Sequence, residues 1–213
     1  MINNELKKRI LSSILIIPIS FFFILKGSNI FLLFLIFFFL VSSYEWVRMN
    51  NEIKLKLFGI LYLFVSFYLT YLLREQFPLN IFFLILIICI FTDLGGYIFG
   101  KLFKGPKLTK ISPNKTYSGM IGSYVLTLLS LIIFNNLFLE ETFNLKNNAI
   151  YNLLIFGTVV SFISQLGDLV ISYFKRIYKI KDTGKIIPGH GGLLDRIDGM
   201  IFAFPISFLL NIF

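Results

Sequence analysis

The chain has 213 residues, 57% of them hydrophobic, including 27 Phe, and its mean hydropathy is +0.84. Soluble domains are about half apolar, so the composition excludes an ordinary water-soluble enzyme and points to one helical membrane domain. The formal net charge is +9. Basic charge in such a chain marks cytoplasmic loops, and the single cysteine, Cys89, excludes a disulfide framework or a cysteine-based metal site.

Apolar runs follow one another at Ile10 to Leu25, Ile30 to Val47, Leu57 to Leu73, Leu79 to Phe99, Gly119 to Phe138, Ala149 to Phe174 and Leu193 to Phe213. Each approaches the roughly 20 residues a spanning helix needs. A helix is the simplest way to pair every backbone N–H and C=O in lipid. The first run contains Pro18 and has no small-residue cleavage site after it, so it is expected to remain as a helix. The predicted fold is therefore all-α, a polytopic transmembrane bundle of about seven spans. The expected division is a lipid-facing scaffold of transmembrane helices over residues 1–90 and a second region, residues 91–213, that carries the polar features taken up below.

The loops alternate in charge. Lys7, Lys8, Arg9; Arg48, Lys54, Lys56; Lys101, Lys104, Lys107, Lys110, Lys115; and Lys175, Arg176, Lys179, Lys181, Lys185 put sixteen basic residues on one side, against Lys26, Arg74 and Lys146 on the other. The positive-inside rule places the N-terminus in the cytoplasm and, with seven spans, the C-terminus outside. A nucleic-acid footprint would cluster on one face irrespective of the spans, so no nucleic-acid partner is expected.

Carboxylates inside apolar spans are costly and usually face a cavity. Asp93 and Asp168 each lie seven residues before the basic end of their span, at Gly100 and Lys175, or roughly 10 Å below the boundary. Asp195 and Asp198 open the last run on the same side, three residues apart and so on one helix face. Ser161, Gln165, Asp168, Ser172 and Lys175 form one polar stripe at helical spacing. Gly96 and Gly100 invite a close helix neighbour.

Two loops on the basic side suit phosphate. Ser112-Pro113 reads as a helix start, with Lys115 and Thr116 offering charge and hydroxyl at a positive helix end. Pro188-Gly189-His190-Gly191-Gly192 allows close backbone approach to a ligand. Carboxylates can hold Mg²⁺, which keeps waters and binds substrate phosphates, while Lys and Arg neutralise phosphate oxygens. No Walker A or GxGxxG pattern occurs.

The stretch Ser172-Tyr173-Phe174-Lys175-Arg176, Lys181-Asp182-Thr183-Gly184 and Pro188 to Asp198 closely resembles the signature of the phosphatidate cytidylyltransferases, with supporting segments at Gln165 to Leu169 and Ile111 to Thr116. The resemblance runs from about Phe91 to Pro205. It implies reaction of CTP with phosphatidic acid to give CDP-diacylglycerol and pyrophosphate, with Mg²⁺ and room for a second cation, in a membrane homodimer. The implied setting is a bacterial inner membrane, with the site facing the cytoplasm.

By matching position, the resemblance suggests Asp168, Asp195 and Asp198 as metal carboxylates, and the depth of Asp93 in its span makes it a weaker fourth candidate. Lys175, Arg176, Lys181 and Arg196 become phosphate partners, with Asp168, Asp182 and His190 among the catalytic candidates. Ser112, Lys115, Thr116, Ser172, Gly189, Gly191 and Gly192 become substrate contacts. The chain departs from the family at Tyr117-Ser118, where Trp-Glu is frequent, at Ile171, where Glu is common, and at Gly199, where Ser is usual. The competing readings are a CTP-dependent lipid kinase and a cation-coupled transporter. The latter would use intramembrane carboxylates reachable from both sides. A CDP-alcohol phosphotransferase is excluded, because Asp198-Gly199 leads into Met200-Ile201-Phe202 instead of that family's pattern.

Overall fold

The computed structural model describes residues 2–109, 111–139, 149–189 and 191–210. They form helices α1 (Ile2–Lys26), α2 (Ser28–Met49), α3 (Ile53–Gln76), α4 (Leu79–Phe103), α5 (Tyr117–Phe134), α6 (Ala149–Ile177), α7 (Leu194–Ile197) and α8 (Met200–Leu210), with a π-helical extension of α5 over Asn135–Leu139. Among the described residues there is no strand, only two isolated bridges, Lys107 with Thr116 and Ile187 with Gly191. The all-helical expectation is met.

Five helical stretches are long and apolar enough to cross a membrane: Ser28–Met49, Ile53–Gln76, Leu79–Phe103, Tyr117–Leu137 and Ile150–Ile177. The first and last expected spans correspond to the shorter apolar helices Leu11–Lys26 and Met200–Leu210. Together with the many large apolar side chains left exposed, from Leu11 through Leu33 and Leu61 to Leu129, these stretches make the chain an integral membrane protein.

The last run is not one uninterrupted helix. The turn α7 ends at Asp198, which keeps helical dihedrals, and α8 begins only after Gly199. Likewise α5 starts later than Ser112-Pro113 suggests. Thr116 is the N-cap, its Oγ1 accepting from the Gly119 N–H at 3.1 Å. Ser112 instead lies in a turn, its N–H donating to Thr109 Oγ1 at 3.2 Å. The preceding segment is tied to itself: the Leu108 N–H donates to the Lys115 carbonyl at 2.8 Å, and the Tyr117 N–H to the Pro106 carbonyl at 3.2 Å. A helix begun at Pro113 would break that closure.

Helices α4 and α5 meet almost backbone to backbone. A Cβ on Gly95 would stand 2.4 Å from the Gly122 carbonyl oxygen, and one on Gly96 would stand 3.0 Å from Ser123 Oγ. This is the close approach expected of small residues in lipid, where helices gain by packing and not by the hydrophobic effect. Buried hydroxyls join these helices to α6. Thr92 Oγ1 donates to Ser161 Oγ at 2.8 Å and shares a hydrogen with Thr127 Oγ1 at 3.1 Å, while Ser123 Oγ donates to the Thr92 carbonyl at 2.7 Å.

A second junction holds α2, α3 and α6. Trp46 covers Gly59, packs edge-on against Phe174 with ring centroids 4.9 Å apart, and donates from Nε1 to the Leu55 carbonyl at 3.0 Å. The two junctions meet α6 at Ser161 and Phe174, on either side of Asp168 in the sequence.

Candidate active site

A polar cleft of ≈380 Å³ opens between α4, α5, α6 and α7, closed by the 104–116 segment and by Asp182. Asp93 of α4, Asp168 of α6, and Asp195 and Asp198 at α7 all line it, as do Lys115, Lys175 and Arg196. Helix α6 contributes because its polar stripe faces inward. Ser161 is buried among the hydroxyls of α4, Asp168 and Lys175 reach the cleft, and Ser172 donates from Oγ to Asp168 Oδ1 at 3.2 Å.

Two ion pairs bridge the walls. Lys115 Nζ stands 2.6 Å from Asp168 Oδ2 and also donates to the Gln165 carbonyl at 3.3 Å, joining the loop before α5 to α6. Lys175 Nζ stands 2.8 Å from Asp195 Oδ1, joining α6 to α7. The carboxylates of Asp93, Asp168 and Asp198 are near enough for their charges to act on one another, with Lys115 and Arg196 acting on Asp93 and Lys175 on Asp198. Among the described residues no three His, Cys, Asp or Glu side chains are grouped closely enough to hold a metal ion by themselves.

Asp195 is differently employed. Its Oδ2 accepts from the Thr183 N–H at 2.8 Å, from Thr183 Oγ1 at 3.1 Å and from the Gly192 N–H at 3.1 Å. With Oδ1 on Lys175, both oxygens are engaged. Asp195 therefore fastens the glycine-containing loop to the cleft wall.

Of the remaining expected residues, Ser112, Thr116 and Asp182 line the cleft. Arg176 and Lys181 do not. Arg176 donates from Nε to the Ile111 carbonyl at 3.2 Å, and Lys181 is exposed. Gly189, Gly191 and Gly192 also lie off the cleft. Gly189 and Gly191 adopt φ of 77° and 89°, a left-handed backbone that favours glycine. The Gly191 N–H donates to the Ile187 carbonyl at 3.2 Å, and the Gly192 N–H is held by Asp195. His190, also expected here, lies outside the described residues.

One residue in the N-terminal half belongs to this assembly and escaped the sequence reading. Glu45 of α2 is 1% exposed. Its Oε1 accepts from the Leu193 N–H at 3.0 Å, and its Oε2 accepts from the Leu194 N–H at 2.8 Å and shares the single hydroxyl hydrogen of Thr183 Oγ1, 3.1 Å away, with Asp195. It thus caps the start of α7 from a distant helix, satisfying N–H groups that have no partner within the turn. Its signal was present: a carboxylate inside an apolar run, the same feature that singled out Asp93. Helix α1 reaches the loop too, with Arg9 Nε donating to the Gly189 carbonyl at 2.8 Å and Ser12 Oγ to the Pro188 carbonyl at 3.2 Å.

The sequence departures have local explanations. Ile171 is 4% exposed and packs in the cluster containing Trp46 and Leu194. Ser118 Oγ donates to the Lys104 carbonyl, pinning the end of α4. A Cβ on Gly199 would stand 2.4 Å from Ser164 Oγ, so a hydroxyl from α6 already fills the space beside Gly199.

In a helical membrane protein, a cleft that presents both carboxylates and cations fits one class: an enzyme acting on phosphate compounds. Residues 50–213 match the model of the Cytidylyltransferase family. The phosphatidate cytidylyltransferase of Rickettsia bellii (strain RML369-C) is 37% identical over 217 residues, covering 98% of this chain and 91% of that protein. That of Rickettsia felis (strain ATCC VR-1525 / URRWXCal2) is 36% identical over 96% of this chain and 91% of its own length. That of Staphylococcus haemolyticus (strain JCSC1435) is 40% identical over 82% of this chain, which spans 65% of it. The chain belongs to the cytidylyltransferase family.

Proposed function

We propose that this protein is a nucleotidyltransferase that transfers the cytidylyl group of CTP to phosphatidic acid, forming CDP-diacylglycerol and pyrophosphate for phospholipid synthesis. The observation that carries this reading is the convergence of Lys115, Lys175 and Arg196 on a cleft walled by acidic groups and set into a lipid-facing bundle, in a chain so similar to phosphatidate cytidylyltransferases.

In the reaction an oxygen of the lipid phosphate attacks the α-phosphorus of CTP. The new P–O bond forms as the bond to the bridging oxygen of the β-phosphate breaks, and pyrophosphate leaves with that electron pair. No protein nucleophile is required. The protein's part is positioning and charge stabilisation, the main levers in phosphoryl-type transfer. Lys115 and Lys175 exchange their carboxylate partners for phosphate oxygens, and Arg196 offers a planar fork suited to bidentate phosphate contact. Displacing two ion pairs also frees acidic groups as the anionic substrate enters.

The donor set suits Mg²⁺. Asp93, Asp168 and Asp198 line one cavity, and Mg²⁺ binds through one or two carboxylates with waters and substrate phosphates completing its shell. A closed cage of protein ligands is therefore not needed, and Asp168 and Asp198 are the residues that would hold it. Bound there, the cation would neutralise phosphate charge. Asp195, whose Oδ2 is held by the loop through Thr183 and Gly192, is the least available of the four.

The reading sets the cleft on the cytoplasmic side of a bacterial inner membrane with the N-terminus inside, supported by the loop-charge asymmetry. A seven-span arrangement requires the two short apolar helices to insert as well. A homodimer is included on the family resemblance alone.

The test is purified protein with Mg²⁺, phosphatidic acid and CTP labelled either in cytosine or in the γ-phosphate. Cytidylyl transfer puts only the cytosine label into lipid. A lipid kinase would put only the γ-label there, and label in neither lipid fraction refutes both.

A further inference from the structure

Arg196 lines two cavities. Besides the polar cleft it borders an apolar groove of ≈420 Å³ between α1, α2, α3, α4 and α8. The groove wall includes Ile17 of α1, Phe34 and Leu35 of α2, Leu86 of α4 and Phe204 of α8. Along α1 it extends from Ser13 to Ile24, roughly 16 Å at the helical rise, or about half the hydrocarbon thickness of a bilayer. That is the depth of one leaflet. Its upper end, at Leu193, Arg196 and Ile197, is formed by the same turn whose other side faces the phosphate-suited cleft.

We propose that this groove seats one acyl chain of the lipid substrate, with Arg196 at its mouth drawing the attached phosphate into the polar cleft. The inference rests on the lipid-phosphate reading above and adds where the lipid lies. An apolar tail joined to an anionic head is the ligand that fits an apolar slot ending at a guanidinium. The volume falls in the usual range for small-molecule sites, about 300–1,000 Å³.

In a bilayer the groove offers no hydrophobic gain, since lipid tails are as apolar as its walls. Its effect is positional. A chain held in the slot fixes the depth and angle of the phosphate, and a displacement of about 1 Å at a reacting centre costs on the order of 100-fold in rate. The groove also explains why helices outside the family signature, α1 and α2, close around α7 and its loop.

The experiment compares wild type with Ser20→Trp and Leu86→Trp, which fill the groove from two different helices, and with Leu33→Trp, which adds the same bulk at a residue 65% exposed to the surroundings. Each is assayed with dioleoyl and with dioctanoyl phosphatidic acid. Both groove variants are expected to lose at least about tenfold in kcat/KM for the long-chain lipid. The short-chain lipid and the KM for CTP should be little changed, and Leu33→Trp should behave as wild type. Equal losses on both lipids, or no loss, overturn the proposal.

Photolabelling of wild type with a phosphatidic acid carrying a diazirine at one chain end gives an answer independent of variant folding and of turnover. Adducts on groove residues of α1, α2 or α8 support the seat, and adducts confined to outward residues such as Leu33 and Leu61 overturn it. Groove adducts in a protein that makes no CDP-lipid would uphold the seat and refute the reaction. Normal turnover with outward adducts would do the reverse.

Discussion

Replacing Glu45 by Gln tests whether a helix far from the family signature holds the active-site loop in place. The carboxylate accepts from the Leu193 and Leu194 N–H groups at 3.0 and 2.8 Å and shares the Thr183 hydroxyl hydrogen with Asp195, while 1% exposed. A carboxamide keeps the size but turns one acceptor oxygen into an NH₂ donor. Whichever way it is oriented, at least one buried N–H then faces another donor. Leaving a buried donor unsatisfied costs about 1–3 kcal/mol, or roughly 5- to 150-fold in the ratio of ordered to displaced loop at about 1.4 kcal/mol per tenfold.

Because Leu194 directly precedes Asp195 and Arg196, the loss should appear in kcat/KM for CDP-lipid formation. It should also appear as faster tryptic cleavage at Lys181 and Lys185, both exposed on the loop that Glu45 restrains. Glu45→Asp, one methylene shorter, should retain charge but not span all three donors, and should fall between the two. Full activity and unchanged cleavage in Glu45→Gln would refute the idea that this carboxylate organises the site.

Other outcomes follow from the same geometry. Asp198→Asn should cut CDP-lipid formation by about 10²–10³-fold at every Mg²⁺ concentration while the protein stays folded. Lys54→Ala, remote from the cleft lining, should stay near wild type. Near-normal turnover of Asp198→Asn across a Mg²⁺ titration would exclude a metal role. Gly199→Ala should lower thermal stability by about 1–3 kcal/mol through overpacking, because its Cβ would stand 2.4 Å from Ser164 Oγ. Adding Ser164→Gly should restore most of the loss, and a double mutant no better than the single would place the strain elsewhere. A C-terminal reporter that fluoresces only in the cytoplasm should remain dark if all seven apolar helices cross the membrane, and a bright one would reduce the span count.

The spans were readable because the signal is local. Twenty apolar residues in lipid have few structures besides a helix, and the runs around Ile30, Leu57, Leu79 and Ala149 need no knowledge of their neighbours. The gathering of Asp93, Asp168, Asp195 and Asp198 was also within reach, because distance from a charged helix end fixes depth. Depth does not fix a partner. Nothing near Leu193 in sequence announces that its N–H will meet a carboxylate 148 positions away, and the same holds for Arg9 at Gly189, 180 positions apart. The cap at Thr116 was missed for a related reason. Ser112-Pro113 satisfies the local pattern, but the bridge between Lys107 and Thr116 closes the segment that contains them, and Ser112 sits in a turn inside it.

The glycine loop shows what sequence chemistry can and cannot specify. Its glycines and the start of a helical turn present a row of N–H groups that call for negative charge. A nucleotide phosphate is one candidate, and the sequence alone favours it. The folded chain meets the demand internally: Asp195 takes the N–H groups of Thr183 and Gly192, and Glu45 takes those of Leu193 and Leu194. With these amides spent, the cations that line the cleft, Lys115, Lys175 and Arg196, are the groups proposed above to meet phosphate. The loop then matters chiefly by holding Asp195 and Arg196 at their stations. Its glycines are needed for packing, since a Cβ on Gly192 would stand 2.2 Å from Thr183 Oγ1 and one on Gly184 2.3 Å from Glu45 Oε1. A larger residue at either position would push the loop off its two carboxylates, and the α7 turn would shift with it.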